Sequence, residues 1–271
     1  MQKISLILLL MLSLCSCKDK HEWQSPHARF DNERWVAHAG GRINRFDYTN
    51  SLNALDASYA AGMHLFELDF QWTKDGHLVL LHDWDEALTN NFDAAPQQYT
   101  LTQFKTLKSL HGLTYLTAEE LFSWLNAHPD AVIITDVKSD VLKALKWIQS
   151  HYPSYAEHFI PQIYHFEEYE PARKLGFYRV ILTLYRLSKT KDAVILNFCQ
   201  THPVWAVTMP HSRAVKSHLT NDLRKLNIPV YVHTLNDPET IKTAFASGTF
   251  GIYIDDVAVR NERLHNTGQI Y

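Results

Sequence analysis

The chain has 271 residues, and its 26 Lys and Arg against 29 Asp and Glu leave a formal charge of −3. Hydrophobic residues make up 46% and charged residues 20%, which allows a large core and excludes disorder as the overall state. No long basic run occurs, so nucleic acid is excluded as an expected partner.

The N-terminus reads as a targeting segment. Lys3 precedes an apolar run from Ile4 to Leu14. That run is too short to span a bilayer, which needs roughly 20 residues. Leu14-Cys15-Ser16-Cys17 then resembles the bacterial lipobox, with Cys17 as the lipidated residue. The sequence therefore predicts a signal peptide over 1–17, a tether over 18–33 and one domain over 34–271. It predicts an exported lipoprotein of the cell envelope, anchored to a bacterial membrane and monomeric. An ordinary cleaved signal peptide is the alternative. Cys199 would be the one other cysteine left, which rules out an internal disulfide framework. It falls on a predicted helix face and reads as packing.

Beyond the tether, apolar β-branched runs alternate with helical patterns. The predicted strands are Trp35 to His38, Leu65 to Asp69, Ala131 to Asp136, Phe159 to Ile163, Arg179 to Thr183, Val204 to Thr208, Pro229 to His233 and Phe250 to Ile254. Helical spacing of apolar residues runs over Ser51 to Ala61, Ala118 to Ala127, Val141 to Gln149, Ser212 to Leu226 and Pro238 to Ala246. Thr117-Ala118-Glu119-Glu120 is a capping box, and Asn236-Asp237-Pro238 is a second helix start. Strands that are apolar throughout and alternate with helices imply a parallel sheet covered by helices. Eight such units fit an α/β fold of the (β/α)8 TIM-barrel type, and no GxGxxG turn argues for an open doubly wound sheet. The rhythm breaks after the second strand. Thr73-Lys74-Asp75-Gly76 is a turn leading into a short strand that ends at His82, and it reads as an insertion on the second βα loop. In a barrel that loop lies on the catalytic face.

Glu67 and Asp69 are two acids at i and i+2 within an apolar strand, so they share one face. A buried like-charge pair is costly unless a cation neutralises it. Asp136 ends the third strand and repeats the logic. Three carboxylates at two strand ends make a candidate metal site, and oxygen ligands alone favour Mg²⁺ or Ca²⁺. Salt bridges to arginines are the alternative for the pair. Lys138, two residues beyond Asp136, is placed either to meet a phosphate oxygen or to be an internal counter-ion. His38 precedes Ala39-Gly40-Gly41, and His82 closes the inserted strand. Both sit at strand ends that open on one barrel face, where two imidazoles can serve as base and acid. Sixteen histidines are many for this length, and His21, His111, His128 and His151 read as loop or helix-end residues.

In order, these elements resemble the glycerophosphodiester phosphodiesterase family. The resemblance rests on His38-Ala39-Gly40, Thr49-Asn50-Ser51, Glu67-Leu68-Asp69, Thr73-Lys74-Asp75-Gly76, His82-Asp83 and Asp136-Val137-Lys138. It continues more weakly through Val232 to Asn236 and Ile252 to Asp256. It implies metal-dependent hydrolysis of small-molecule or lipid phosphodiesters, releasing an alcohol and a glycerol phosphate. Glu67, Asp69 and Asp136 would be the metal ligands, His38, His82 and Lys138 the catalytic residues, and Asn50 and Lys138 substrate contacts. The chain departs from the family's pattern at three positions. Ala39 stands where the family has an arginine used against phosphate, and Arg42 or Arg45 could reach in instead. Thr49 replaces a glutamate, and Asp136 replaces the usual third glutamate. An aspartate there also resembles the sphingomyelinase D and phosphatidylinositol-specific phospholipase C branches of the superfamily. The competing readings are a non-catalytic barrel that binds headgroups and a different barrel enzyme, such as a sugar isomerase or glycosidase.

Overall fold

The computed structural model describes residues 33–260. The predicted signal peptide, Cys17 and the tether up to residue 32 lie outside them. The first elements are β1 (Trp35–Ala37), α1 (Leu52–Ala60), β2 (Leu65–Trp72), β3 (Leu78–Leu80), α2 (Glu86–Asn91), α3 (Leu101–Phe104) and α4 (Ala118–Ala127). Next come β4 (Val132–Val137), α5 (Val141–His151), β5 (Phe159–Ile163), α6 (Tyr169–Lys174), β6 (Ile181–Thr183) and α7 (Asp192–Thr201). The last are β7 (Ala206–Pro210), α8 (His211–Lys216), α9 (Leu219–Lys225), β8 (Val230–His233), α10 (Pro238–Ala246) and β9 (Gly251–Ile254). The parallel strands run β1-β9-β8-β7-β6-β5-β4-β2, and β1 also pairs with β2, so the sheet closes into the eight-stranded barrel that the pattern predicts. Closure leaves no free edge in the ring.

One parity runs through every strand. Val36, Leu65, Val132, Ile134, Ile160, Ile181, Ala206, Tyr231 and Tyr253 fill the inside of the barrel. Their neighbours, such as Phe66, Leu68, Ile133, Leu182 and Val207, pack outward against the helices. Both faces are therefore apolar, as a parallel sheet under helices requires. Continuing the inward parity toward the C-terminal ends reaches His38, Glu67, Asp69, Asp136, His233 and Asp255.

Several boundaries differ from the sequence expectation. β1 stops at Ala37 because His38–Gly40 form a 3₁₀ turn with Ala39 at φ 48° and Gly40 at φ 82°. β2 runs on to Trp72, since Phe70, Gln71 and Trp72 pair antiparallel with Leu80, Val79 and Leu78. β3 ends at Leu80, not at His82. The Leu81 amide still donates to the Asp69 carbonyl at 3.1 Å, which ties His82 to the end of β2. The insertion carries its own small core of Val79, Leu81, Ala87, Leu88, Phe92 and Phe104. The single helix expected over Ser212 to Leu226 is two. Ser217 is extended (φ −106°, ψ 159°), and its hydroxyl accepts the Leu219 amide at 3.3 Å. A serine offers the backbone this local partner in place of a helical one.

Barrel closure leaves no room beside Gly251. A Cβ there would lie 2.3 Å from Tyr231 Cε1 and 2.8 Å from the Arg34 carbonyl oxygen. Gly251→Ala is expected to lower stability by about 1–3 kcal/mol. Urea unfolding checks this, and an unchanged midpoint would contradict it.

Candidate active site

The register of β2 against β4 sets Asp69 opposite Asp136, and Glu67 lies one pleat earlier on the same face. All three are buried, and one oxygen from each lies within 4.8 Å of the others. Such a cluster cannot persist as three bare charges. Lys138 Nζ sits 2.6 Å from Asp69 Oδ1 and 2.8 Å from Asp136 Oδ2. The Ala39 amide donates to Glu67 Oε2 at 2.9 Å, and the Tyr164 hydroxyl donates to Asp136 Oδ1. Glu67 Oε1 is buried with no hydrogen bond. Three carboxylates against one ammonium leave two negative charges. A divalent cation would cancel both and give Oε1 a partner, so this all-oxygen donor set fits such an ion.

The electrostatics follow from this crowding. Burial pushes the Glu67 carboxyl up, and the Asp69 charge adds to the shift. Burial also opposes the charge on Asp69, but the Lys138 ammonium outweighs it and holds that carboxyl low. Lys138 is partly buried, which opposes its charge, yet Asp69 and Asp136 raise its pKa.

His38 leaves β1 with Nδ1 2.7 Å from Asp255 Oδ1 and Nε2 3.8 Å from Glu67 Oε2. Burial disfavours its charged form, but the hydrogen bond to Asp255 and the Glu67 charge prevail and raise it to about 9. Asp255 is itself fixed by Asn236, which donates to Oδ2 at 2.7 Å and accepts the Asp255 amide at 2.9 Å. His82 has a parallel support. Its Nδ1 lies 2.7 Å from Asp83 Oδ2, and Asp83 Oδ1 accepts the Asp85 and Ala87 amides, each at 2.9 Å. Each imidazole is thus oriented through Nδ1, which leaves Nε2 for chemistry. The Tyr48 ring touches both edge-on, with centroids 4.6 Å from His38 and 5.4 Å from His82. Beside His82 opens a cleft of about 580 Å³, lined among others by Arg45, Tyr48, Asp83 and Glu86.

The structure therefore gathers His38, His82, Glu67, Asp69, Asp136 and Lys138 at one barrel mouth. Lys138 takes the counter-ion position. Two expectations need correction. Asn50 is fully buried, and its amide is taken up by Asp69, donating to Oδ2 at 2.8 Å and accepting the Asp69 amide at 2.9 Å. It holds a carboxylate in place and is not free for a phosphate. Arg42 is committed to Asp47 at 2.7 and 3.1 Å and to Asp256 at 3.3 Å, so it clasps the loop instead of replacing the missing arginine. Arg45 lies over the Phe46 ring at 5.3 Å, in the cleft and not at the carboxylates. Sequence reasoning assigned no role to Asp255, Asn236, Tyr164 or Tyr48. The first two stand inside motifs it quoted, and an acid directly after an apolar strand was a usable signal. Nothing marked the tyrosines.

A closed parallel barrel with an acidic cluster that could hold a metal ion and two histidines at its C-terminal mouth has the layout of a TIM-barrel hydrolase. The sequence model of the "Glycerophosphoryl diester phosphodiesterase family" matches residues 38–259. The chain belongs to that family, whose members are phosphoric diester hydrolases. It is 24% identical over 238 residues to a glycerophosphodiester phosphodiesterase of Caldanaerobacter subterraneus subsp. tengcongensis, covering 82% of this chain and 93% of the relative. A Bacillus altitudinis protein of the same name is 23% identical over 237 residues, covering 81% and 93%. Among solved structures, a glycerophosphodiester phosphodiesterase from Parabacteroides distasonis matches with a TM-score of 0.69 at 18% identity, covering 88% of this chain and 99% of that one. An Oleispira antarctica phosphodiesterase, solved with the product sn-glycerol-3-phosphate, matches with a TM-score of 0.65 at 14% identity, covering 84% and 96%.

The charge distribution has a measurable consequence. With His38 raised to about 9, the metal-free folded state holds more protons than the unfolded chain between about pH 6.5 and 9, and the upward shift of Glu67 acts with the same sign. Stability without metal is therefore expected to fall as pH rises through that window. His233, which burial pushes down to about 3, acts with the opposite sign but only below pH 6.5. Adding Mg²⁺ or Ca²⁺ should raise the melting temperature most at the alkaline end, and Asp136→Asn should abolish the increase. A metal-free melting temperature that climbs from pH 6.5 to 9 contradicts this reading.

Proposed function

We propose that this chain hydrolyses glycerophosphodiesters to an alcohol and a glycerol phosphate, with a divalent cation and two histidines. The observation that carries the reading is the convergence of Glu67, Asp69 and Asp136 with His38 and His82 at one mouth, each histidine braced by its own aspartate. The names of the Caldanaerobacter and Bacillus relatives and the product held by the Oleispira enzyme support this substrate class. Glu67, Asp69 and Asp136 would hold Mg²⁺ or Ca²⁺. When bound, the ion supplies Lewis-acid stabilisation of charge on phosphoryl oxygens.

The chain's own residues then divide the proton work. Asp255 lies outside the carboxylate triad, so its hold on His38 does not depend on the cation. We propose that His38, held by Asp255, enters the first step protonated and gives its Nε2 proton to the leaving alkoxide. His82, with Nδ1 on Asp83, takes the proton of the attacking hydroxyl at Nε2. We propose the substrate's own 2-hydroxyl as that nucleophile, giving a cyclic phosphate. In the second step the roles reverse, and water opens the ring. Lys138, already on Asp69 and Asp136, offsets charge as it builds on the phosphoryl group. A phosphorus atom between the imidazoles displaces the Tyr48 ring that touches both. His38→Ala and His82→Ala are each expected to lower kcat at least about 100-fold while the fold survives. Chelator should stop the wild type. Full turnover of glycerophosphocholine in either variant would end the two-histidine reading.

We also propose that the protein is a monomeric lipoprotein of the cell envelope, tethered through Cys17. What supports this is the lipobox-like Leu14 to Cys17 after a short apolar run. Among the described residues no helix is long and apolar enough to cross a membrane. Cys17→Ser is expected to move the protein from the membrane fraction to the soluble one, read by fractionation. Equal membrane association of the variant contradicts the anchor.

A further inference from the structure

We propose that Arg186 is the phosphate-binding cation of this site and takes a non-bridging oxygen of the substrate phosphodiester. The inference rests on the phosphodiesterase reading and starts from charge balance. With one divalent cation bound, Glu67, Asp69 and Asp136 are matched by the ion and Lys138. Protonated His38 is matched by Asp255 and Arg42 by Asp47 and Asp256, while His82, the proposed base, starts neutral beside Asp83. A phosphodiester brings one negative charge and gains a second as a nucleophile adds. Summed over that set, no positive charge is in excess to meet it.

Arg186 follows β6 on the loop at the same end of the barrel, is exposed, and has no acidic partner among the described residues. It is nonetheless held. Its Nη2 donates to the Lys138 carbonyl at 3.0 Å, and its guanidinium lies 4.3 Å from the ring centroid of Tyr164. Tyr164 in turn donates its hydroxyl to Asp136. Both anchors thus belong to the carboxylate cluster, and neither belongs to the cleft beside His82. The loop is clamped from behind by Arg213, which donates to the Leu187 carbonyl at 3.1 Å and the Thr190 carbonyl at 2.9 Å. Nε and Nη1 of Arg186 make no hydrogen bond within the described residues, so a stacked, pre-set guanidinium offers unused donors at the mouth. That is the geometry in which arginine binds phosphate oxygens, and a lysine could match its charge but neither its plane nor its stack. Ala39, buried and lacking a charged side chain, leaves the His38 side of the mouth without such a group.

The test is calorimetric titration of sn-glycerol 3-phosphate into the Mg²⁺-loaded wild type, Arg186→Gln and Arg186→Lys, with kcat and KM for glycerophosphocholine measured in parallel. Lys189→Gln, a charge change on the same loop, is the control. Arg186→Gln is expected to bind glycerol 3-phosphate at least about tenfold more weakly and to lose about 100-fold in kcat/KM, with an unchanged melting temperature. Arg186→Lys should fall between it and the wild type, and the control should match the wild type. Wild-type affinity and kcat/KM in Arg186→Gln overturn the proposal and leave the phosphodiesterase reading standing. A lowered melting temperature with unchanged affinity in the folded protein overturns it too. If the wild type binds glycerol 3-phosphate through Arg186 but hydrolyses no diester, the phosphate site stands and the phosphodiesterase reading falls.

Discussion

Asp69 and Asp136 face each other across two adjacent parallel strands, with Glu67 one pleat deeper, and this burial of three carboxylates is the constraint on which the site depends. It follows from the parity that fills the barrel. Leu65 and Val132 turn inward to pack the interior, so the residues two and four positions on must turn inward as well. Toward the C-terminal ends the apolar filling gives way to acids. Lys138 offsets one charge, and the two that remain suit a divalent cation.

Around this cluster lies a layer whose work is orientation. Asn50 grips Asp69 from a left-handed backbone position (φ 51°), and Ala39, at φ 48°, aims its amide at Glu67 Oε2. Left-handed geometry at a non-glycine residue costs about 1–2 kcal/mol, and here it delivers backbone and amide groups to buried carboxylates. Asp255 and Asp83 do the same for the two imidazoles. The two imidazoles proposed to meet substrate are thus each fixed by an aspartate outside the carboxylate triad.

The barrel was readable in the sequence because its strands are apolar on both faces and alternate with helices. The acids were readable for the same reason: Glu67 and Asp69 interrupt such a strand, and Asp136 ends one. His38 and His82 stood out through the turns beside them, Gly40-Gly41 and Asp75-Gly76. What could not be read were pairings between strands that are neighbours in the barrel but distant in sequence. His38 meets Asp255 over a separation of 217 residues, and Tyr164 meets Asp136 from the residue just after β5. Arg42 and Asn50 were misjudged because periodicity does not show which acid a polar side chain has already engaged. Their sequence positions are right for a substrate contact, but Asp47, Asp256 and Asp69 had already engaged them. The break at Ser217 depended on a single hydroxyl, which periodicity does not register.

Anomalous diffraction from crystals grown with Mn²⁺ tests most directly whether the three carboxylates share one ion. A single peak is expected at about 2.0–2.6 Å from one oxygen each of Glu67, Asp69 and Asp136. A structure with no peak between them, or with Lys138 still bridging Asp69 and Asp136 and the metal bound elsewhere, would contradict it.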